Sequence, residues 1–169
     1  MARNRKTAKG EGARFESAVE MYMQWAFDDL RIVRRRTKGR DDPGDIGNLY
    51  WNGNPVAIEC KNTREKAYRA QWAEAVDEMH NIGGEIAVLV KKRPGVGYRS
   101  LKSIGRQSSI TSRDMLSLLR QGLNAPMPLT LEDVPRNPDL VGMTLEQFCL
   151  LVNHGLPLGP ESRPDDGQD

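Results

Sequence analysis

Apolar positions at helical spacing dominate the first thirty residues. Phe15, Val19, Tyr22, Ala26 and Leu30 follow one another at steps of four, three, four and four. Ala18, Met21 and Trp25 widen that stripe, so a helix is expected to take over near Ala13, after a polar and flexible lead over residues 1–12. Ile32 and Val33 open a first strand within 31–36, which runs into a polar loop from Thr37 to Gly44 with the turn signal Asp41-Asp42-Pro43-Gly44. Two strand-like runs come next, 45–51 and 54–61, joined by Asn52-Gly53, the dipeptide that suits a tight hairpin best. Helical spacing returns over 64–82 through Tyr68, Trp72, Ala75, Val76 and Met79, and Gly83-Gly84 stops it. A compact apolar run, 85–91, predicts another strand.

Later elements are shorter. Residues 104–110 predict a short strand, and Thr111 or Ser112 can cap a helix reaching about Arg120. Beyond Gly122 the chain is proline-rich, with one helical segment from Thr144 to Val152 and a polar, acidic end from Gly159. The order is αβββαβ followed by mixed elements, an α/β class with a mixed central sheet flanked by helices and an irregular C-terminal extension. The division expected is a core domain over 1–121, an extension over 122–158 packed on it, and a disordered acidic tail over 159–169.

The period of two along 56–61 places Glu59 and Lys61 on one strand face, with Val56, Ile58 and Cys60 on the other. A charged pair on a mostly apolar strand costs several kcal/mol unless the charges are paired or bind a metal. Asp45 lies fourteen positions before Glu59. Whether it joins the pair depends on register. A strict two-residue loop at Asn52-Gly53 carried through the hairpin pairs Asp45 with Cys60 and turns its side chain to the wrong face. A three-residue loop, or a bulge near Gly47, gathers all three charged groups on one face; one of these two is expected.

Composition narrows the class. The chain has 169 residues, 38% hydrophobic and 28% charged, and contains no apolar run long enough for a membrane span. Its basic N-terminus lacks the apolar stretch of a secretion signal, so a cytoplasmic location is expected. Cys60 and Cys149 suit reduced core thiols. Net charge is only +2, yet 31–40 holds six cations and no acid, and 91–106 holds six more and no acid. These segments flank the carboxylates and make a track for phosphates, with Arg34, Arg35, Arg36, Lys38 and Arg40 on one side and Lys91, Lys92 and Arg93 on the other. The alternative is a pair of solvated loops.

Asp45 and Glu59 are suited to a hard divalent cation such as Mg2+, which binds oxygen and keeps waters for a substrate phosphate; the backbone carbonyl of Cys60 could add a third oxygen. Such a cation activates water and neutralises charge on a leaving 3' oxygen. Lys61 then either helps deprotonate the attacking water, with its pKa depressed by the metal, or stabilises the transition state as a fixed cation. Glu16, at the edge of the apolar stripe, can reach the metal if its helix packs across the carboxylate face; otherwise it is an exposed helical acid. Gln71 falls where an amide could meet water or phosphate, or simply faces solvent.

From Lys9 to Arg93 the chain resembles the PD-(D/E)XK nuclease superfamily, and within it the archaeal and phage Holliday-junction resolvases. Lys9-Gly10 with Arg14-Phe15-Glu16 and Val19 is similar to their opening helix, Gly44-Asp45-Ile46 with Ile58-Glu59-Cys60-Lys61 to their central motif, and Ala87 to Lys92 to their following strand. The resemblance implies a restriction-endonuclease-like core, Glu16, Asp45, Glu59 and Lys61 as the active site, Mg2+ or Mn2+ as cofactor, and a homodimer cutting two strands of branched DNA, in a phage or a recombination pathway. Residues 122–169 carry no part of it. Two other readings stay open: a restriction or repair nuclease of linear duplex, and a catalytically silent DNA-binding module. A protein without nucleic acid is the fourth.

Overall fold

The computed structural model describes residues 5–35 and 45–160. Thirteen elements follow in chain order: α1 (Arg5–Ala26), β1 (Val33–Arg34), β2 (Ile46–Gly47), β3 (Tyr50–Trp51), β4 (Asn54–Lys61), α2 (Tyr68–Asn81), β5 (Ile86–Lys91), α3 (Leu101–Gly105), β6 (Ser108–Ser112), α4 (Arg113–Gln121), β7 (Glu132–Asp133), β8 (Leu140–Thr144) and α5 (Leu145–Val152). The fold is α/β with a mixed, open sheet of eight strands, ordered β1-β2-β4-β5-β6-β8-β7, with β3 paired to β4 beyond β2. Among the described residues only the β4–β5 pair is parallel, and α2 is its crossover helix.

Both faces of the sheet are covered. On one, Phe15, Val19, Tyr22 and Met23 of α1 and Phe148 and Leu151 of α5 pack on Ile58, Val88 and Val90. On the other, Trp72, Ala75 and Met79 of α2 pack on Ala57, Ala87 and Leu89. Alternation along β4 and β5 divides the side chains between these layers, each fully buried Leu, Ile or Phe contributing about 1.5–3 kcal/mol. β4 thereby carries Glu59 and Lys61 on the α2 side.

Three sequence expectations are corrected. Helix α1 starts at Arg5 rather than near Ala13, because elongation adds one hydrogen bond per residue to an already packed helix and no proline blocks it. It ends at Ala26, so Leu30 drops out of the stripe at 81% exposure and Ile32 fills the core instead. The segment after Gly122 is not irregular. β8 pairs with β6 over five residues and α5 joins the main core, so 122–158 continues the same sheet. Thr144 caps α5 through its hydroxyl, which accepts from the Gln147 N–H, and Ser112 does the same for α4 at Met115. Among the described residues no helix is long and apolar enough to cross a membrane. Cys60 and Cys149 are buried free thiols.

The hairpin resolves by a bulge. Trp51 pairs with Asn54 and Tyr50 with Pro55, so Asn52-Gly53 is a strict two-residue turn, with the positive φ of 49° and 79° that a type I′ turn needs. Ile46, however, pairs with Ile58. Four steps on one strand are therefore matched by three on the other, and the surplus residue sits at Gly47-Asn48, where Asn48 adopts φ 70°. Asparagine tolerates this left-handed conformation, and its Nδ2 donates to the Arg31 carbonyl at 2.8 Å. Gly47 leaves room for the Arg35 side chain, whose Nε would lie 1.8 Å from a Cβ there, so a larger residue would have to displace that guanidinium. A β-branched residue at 48 should expose this design. Asn48→Val is expected to cost about 1–2 kcal/mol, and Asn48→Gly clearly less; equal urea midpoints for the two variants would show that the bulge does not depend on φ at 48.

Candidate metal centre

Continuing the β2–β4 register one residue past Ile46 sets Asp45 opposite Glu59. The Asp45 N–H donates to the Ile58 carbonyl at 3.0 Å, and its own carbonyl accepts from the Arg35 N–H at 2.8 Å. Its Oδ2 accepts the N–H of Cys60 at 2.7 Å, so Cys60 meets the cluster first through its amide. Glu59 is 5% exposed. Its Oε1 lies 3.2 Å from Lys61 Nζ, and that ammonium lies 2.7 Å from Glu74 Oε2.

The electrostatics report a surplus of buried negative charge. Asp45 is pushed up from 3.8 to about 7, by burial first and then by the charges of Glu59 and Glu16, against the opposing Cys60 N–H. Burial likewise raises Glu59, although Glu78 and Lys61 pull the other way. Glu78, buried on α2, approaches Glu59 and is the largest of the influences that lower it. Glu59 Oε2 is buried without a hydrogen-bond donor. Lys61 is held above the ordinary lysine value: burial lowers it, but the bonds to Glu74 and Glu59 more than offset this. Lys61 is thus an ammonium held between Glu59 and Glu74.

Glu16 approaches from elsewhere. Helix α1 packs on the Ile58 face, opposite to Glu59, yet the Glu16 charge is felt by Asp45. Its Oε2 accepts from Arg34 Nη2 at 3.0 Å, and Arg34 also donates to Ser17 Oγ at 2.9 Å and, through its backbone N–H, to Glu20. Arg34 thus ties β1 to α1. Gln71 is buried and accepts from Lys91 Nζ, which also donates to the Glu65 carbonyl at 2.9 Å. Lys91 is itself buried and held below the ordinary lysine value, by burial. Arg93 lies 3.0 Å from Glu132 Oε1 and donates to the Arg106 carbonyl. Lys92 is half-buried and donates to the Arg93 carbonyl at 2.7 Å. Arg36, Lys38 and Arg40 lie outside the described residues, as do Pro43 and Gly44.

Glu74 and Glu78 were not legible as site residues, though a signal existed. Gln71, Glu74 and Glu78 recur at steps of three and four, the same period as the buried Trp72, Ala75 and Met79. Glu78 at that period is buried, whereas Glu74 stays exposed and reaches Lys61 from the rim.

Among the described residues no three carboxylate, thiol or imidazole groups form a ready cage for a metal ion. A magnesium ion does not need one, since it is commonly held by one or two carboxylates, water and substrate phosphate. The donor set fits that mode: two hard oxygen groups, one with an orphaned buried oxygen and one whose affinity for a proton is raised by burial and by neighbouring carboxylates. Comparison with protein-family models, curated proteins and solved structures finds no match to this chain. What is shown beyond the site is therefore its class, an α/β protein with a mixed open sheet.

The sign of the Asp45 shift gives a test. The folded protein holds this proton more tightly than the unfolded chain, so the contribution to stability is most favourable below about pH 4, falls as pH rises to about 7, and is flat above. Asp45→Asn keeps an acceptor for the Cys60 N–H and removes the charge. In EDTA at pH 8 it should stabilise the protein by about 2 kcal/mol, raising Tm by roughly 4–8 °C, and flatten the slope between pH 4 and 7. A lower Tm for this variant at pH 8 would contradict the surplus of charge.

Proposed function

We propose that this protein is a Mg2+- or Mn2+-dependent endonuclease that hydrolyses DNA phosphodiester bonds, with branched DNA such as a four-way junction as its substrate. The observation that carries the reading is the approach of Asp45, the residue before β2, to Glu59 of β4 beside Lys61, in a state that favours binding a cation. Support also comes from the element order α1-β1-(β2, β3)-β4-α2-β5, which agrees with the αβββαβ order expected of such a core.

In this reading the carboxylates of Asp45 and Glu59 would hold the cation, with the Cys60 carbonyl and Glu16 as further candidate oxygens. The bound metal supplies Lewis acidity and an activated water. Lys61, fixed by Glu74, keeps its ammonium beside the position of the scissile phosphate and offsets negative charge as it grows there. Water adds to phosphorus, the P–O3' bond breaks, and the products are a 5' phosphate and a 3' hydroxyl, with one proton released. Glu74 orients the lysine and Glu78 orients Glu59. Paired incisions across a junction call for two active sites, so the working form is a homodimer.

Cleavage of labelled four-way junction, flap and blunt linear duplex in Mg2+ or Mn2+ tests both chemistry and substrate. The junction should be cut at least tenfold faster than the linear duplex. Asp45→Ala and Glu59→Ala should abolish cutting while DNA affinity in EDTA is retained or increased, and Lys61→Ala should lower the rate by about 10²-fold or more. Equal rates on linear duplex would favour a restriction or repair nuclease. No metal-dependent cleavage of any DNA would leave a binding module.

A further inference from the structure

A cleft of about 700 Å³ opens beyond the C-terminal ends of the parallel strands β4 and β5, next to Lys61. Crevices at such strand ends are the usual ligand positions of open α/β sheets, and this volume lies within the range of about 300–1,000 Å³ typical of ligand clefts. The segment after β4 supplies Arg64, Lys66 and Tyr68 to its lining, and the loop after β5 supplies Lys92 and Tyr98. Arg64 and Lys66 are exposed, and none of their side chains is drawn into the carboxylate cluster.

Its walls are held in place. Lys91 Nζ lies 5.2 Å from the centre of the Tyr68 ring, and Tyr98 meets Phe15 edge-on at 5.5 Å. Gln107, fully buried, accepts from the Arg93 N–H at 2.7 Å and donates to the Gly97 carbonyl at 2.7 Å, which pins the loop carrying Tyr98. The lining also carries Glu11, Glu65 and Glu132, the last paired with Arg93, so the cations left around the two aromatic rings are chiefly Arg64, Lys66 and Lys92, an arrangement that suits single strands, in which bases stack and phosphates follow the charge. A duplex is gripped differently, by elements laid into a groove about 12 Å wide. A concave cleft of this size takes a base or two.

We propose that this cleft is a subsite for one or two unpaired nucleotides of the DNA substrate, with Tyr68 and Tyr98 as stacking surfaces and Arg64, Lys66 and Lys92 as phosphate contacts. The identity of the polymer rests on the nuclease reading of the adjacent carboxylates. The substrate then presents a frayed, gapped or branched strand at the metal centre, because a fully paired end leaves the cleft unfilled.

The test is binding by the intact protein in EDTA, where no cleavage intervenes. The probes are a 12-nucleotide single strand carrying 5-iododeoxyuridine, a duplex with a four-nucleotide overhang, and a blunt duplex of the same sequence. The single strand and the overhang should bind at least tenfold more tightly than the blunt duplex. Irradiation should crosslink the iodinated base to Tyr68 or Tyr98, read by mass spectrometry. Tyr68→Leu should weaken single-strand binding about tenfold and blunt-duplex binding less than twofold, whereas Tyr68→Phe stays within twofold on both. If Tyr68→Leu does not fold, the exposed pair Arg64→Ala with Lys66→Ala takes its place and should lower the single-strand salt slope by roughly 1.4. Equal affinity for all three probes, or crosslinks only outside the cleft, would overturn the subsite. Crosslinking at the tyrosines without metal-dependent cleavage would support the subsite and sink the nuclease reading alone.

Discussion

One surplus residue in the hairpin decides what this protein can do. Through the turn, Tyr50 opposes Pro55; past Asn48, Ile46 opposes Ile58. Without that shift of one, Asp45 would point among Ile58 and Cys60, burying a carboxylate in the apolar layer under α1, and Ile46 would leave the core it now fills completely. The bulge therefore serves packing and chemistry at once. Ile46 is drawn under α1 by burial, and Asp45 follows to the opposite face because neighbouring side chains on a strand must alternate.

The cluster this creates works against the stability of the metal-free fold. Asp45 and Glu59 both bind protons more readily than in water, mainly because they are desolvated, and only part of that is offset by Lys61 and the Cys60 amide. Packing supplies the compensation. Fully buried side chains from α1, β4, β5 and α5 meet in one core, and α2 covers the second face. A fold that tolerates such unfavourable charge in its centre draws on stability from elsewhere.

Much of this was readable in the chain. The alternation over 56–61 separates Glu59 and Lys61 from Ile58 and Cys60, and the structure keeps that separation. Asn52-Gly53 reads as a turn because both residues accept positive φ. The bulge could be posed only as one of two ways to satisfy parity, since the position of a surplus residue depends on which neighbours pack best and leaves a weak local mark. Lys91 reads as a loop cation at the end of an apolar run, whereas its burial follows from Gln71 and the Glu65 carbonyl arriving from α2 and the segment before it. β8 was hidden because Leu140-Val141-Gly142-Met143 is short, contains a glycine and sits among prolines; its strand character comes from pairing with β6.

The α2 helix shows how the sheet's charges are sorted. In the parallel register Lys61 lies beside Lys91, so two ammonium groups share one face of adjacent strands. Left alone they would repel, and neither would have a fixed position. Across them, α2 presents Gln71, Glu74 and Glu78 one turn apart, and each meets a different partner: Gln71 takes Lys91, Glu74 takes Lys61 and Glu78 takes Glu59. The neutral amide goes to the more deeply buried lysine, whose charge is already disfavoured by burial and by Lys61. A carboxylate goes to the lysine that stays charged at the mouth of the site. Helical periodicity thus assigns the two lysines different work, one bracing the segment that borders the cleft and the other holding positive charge beside the carboxylates.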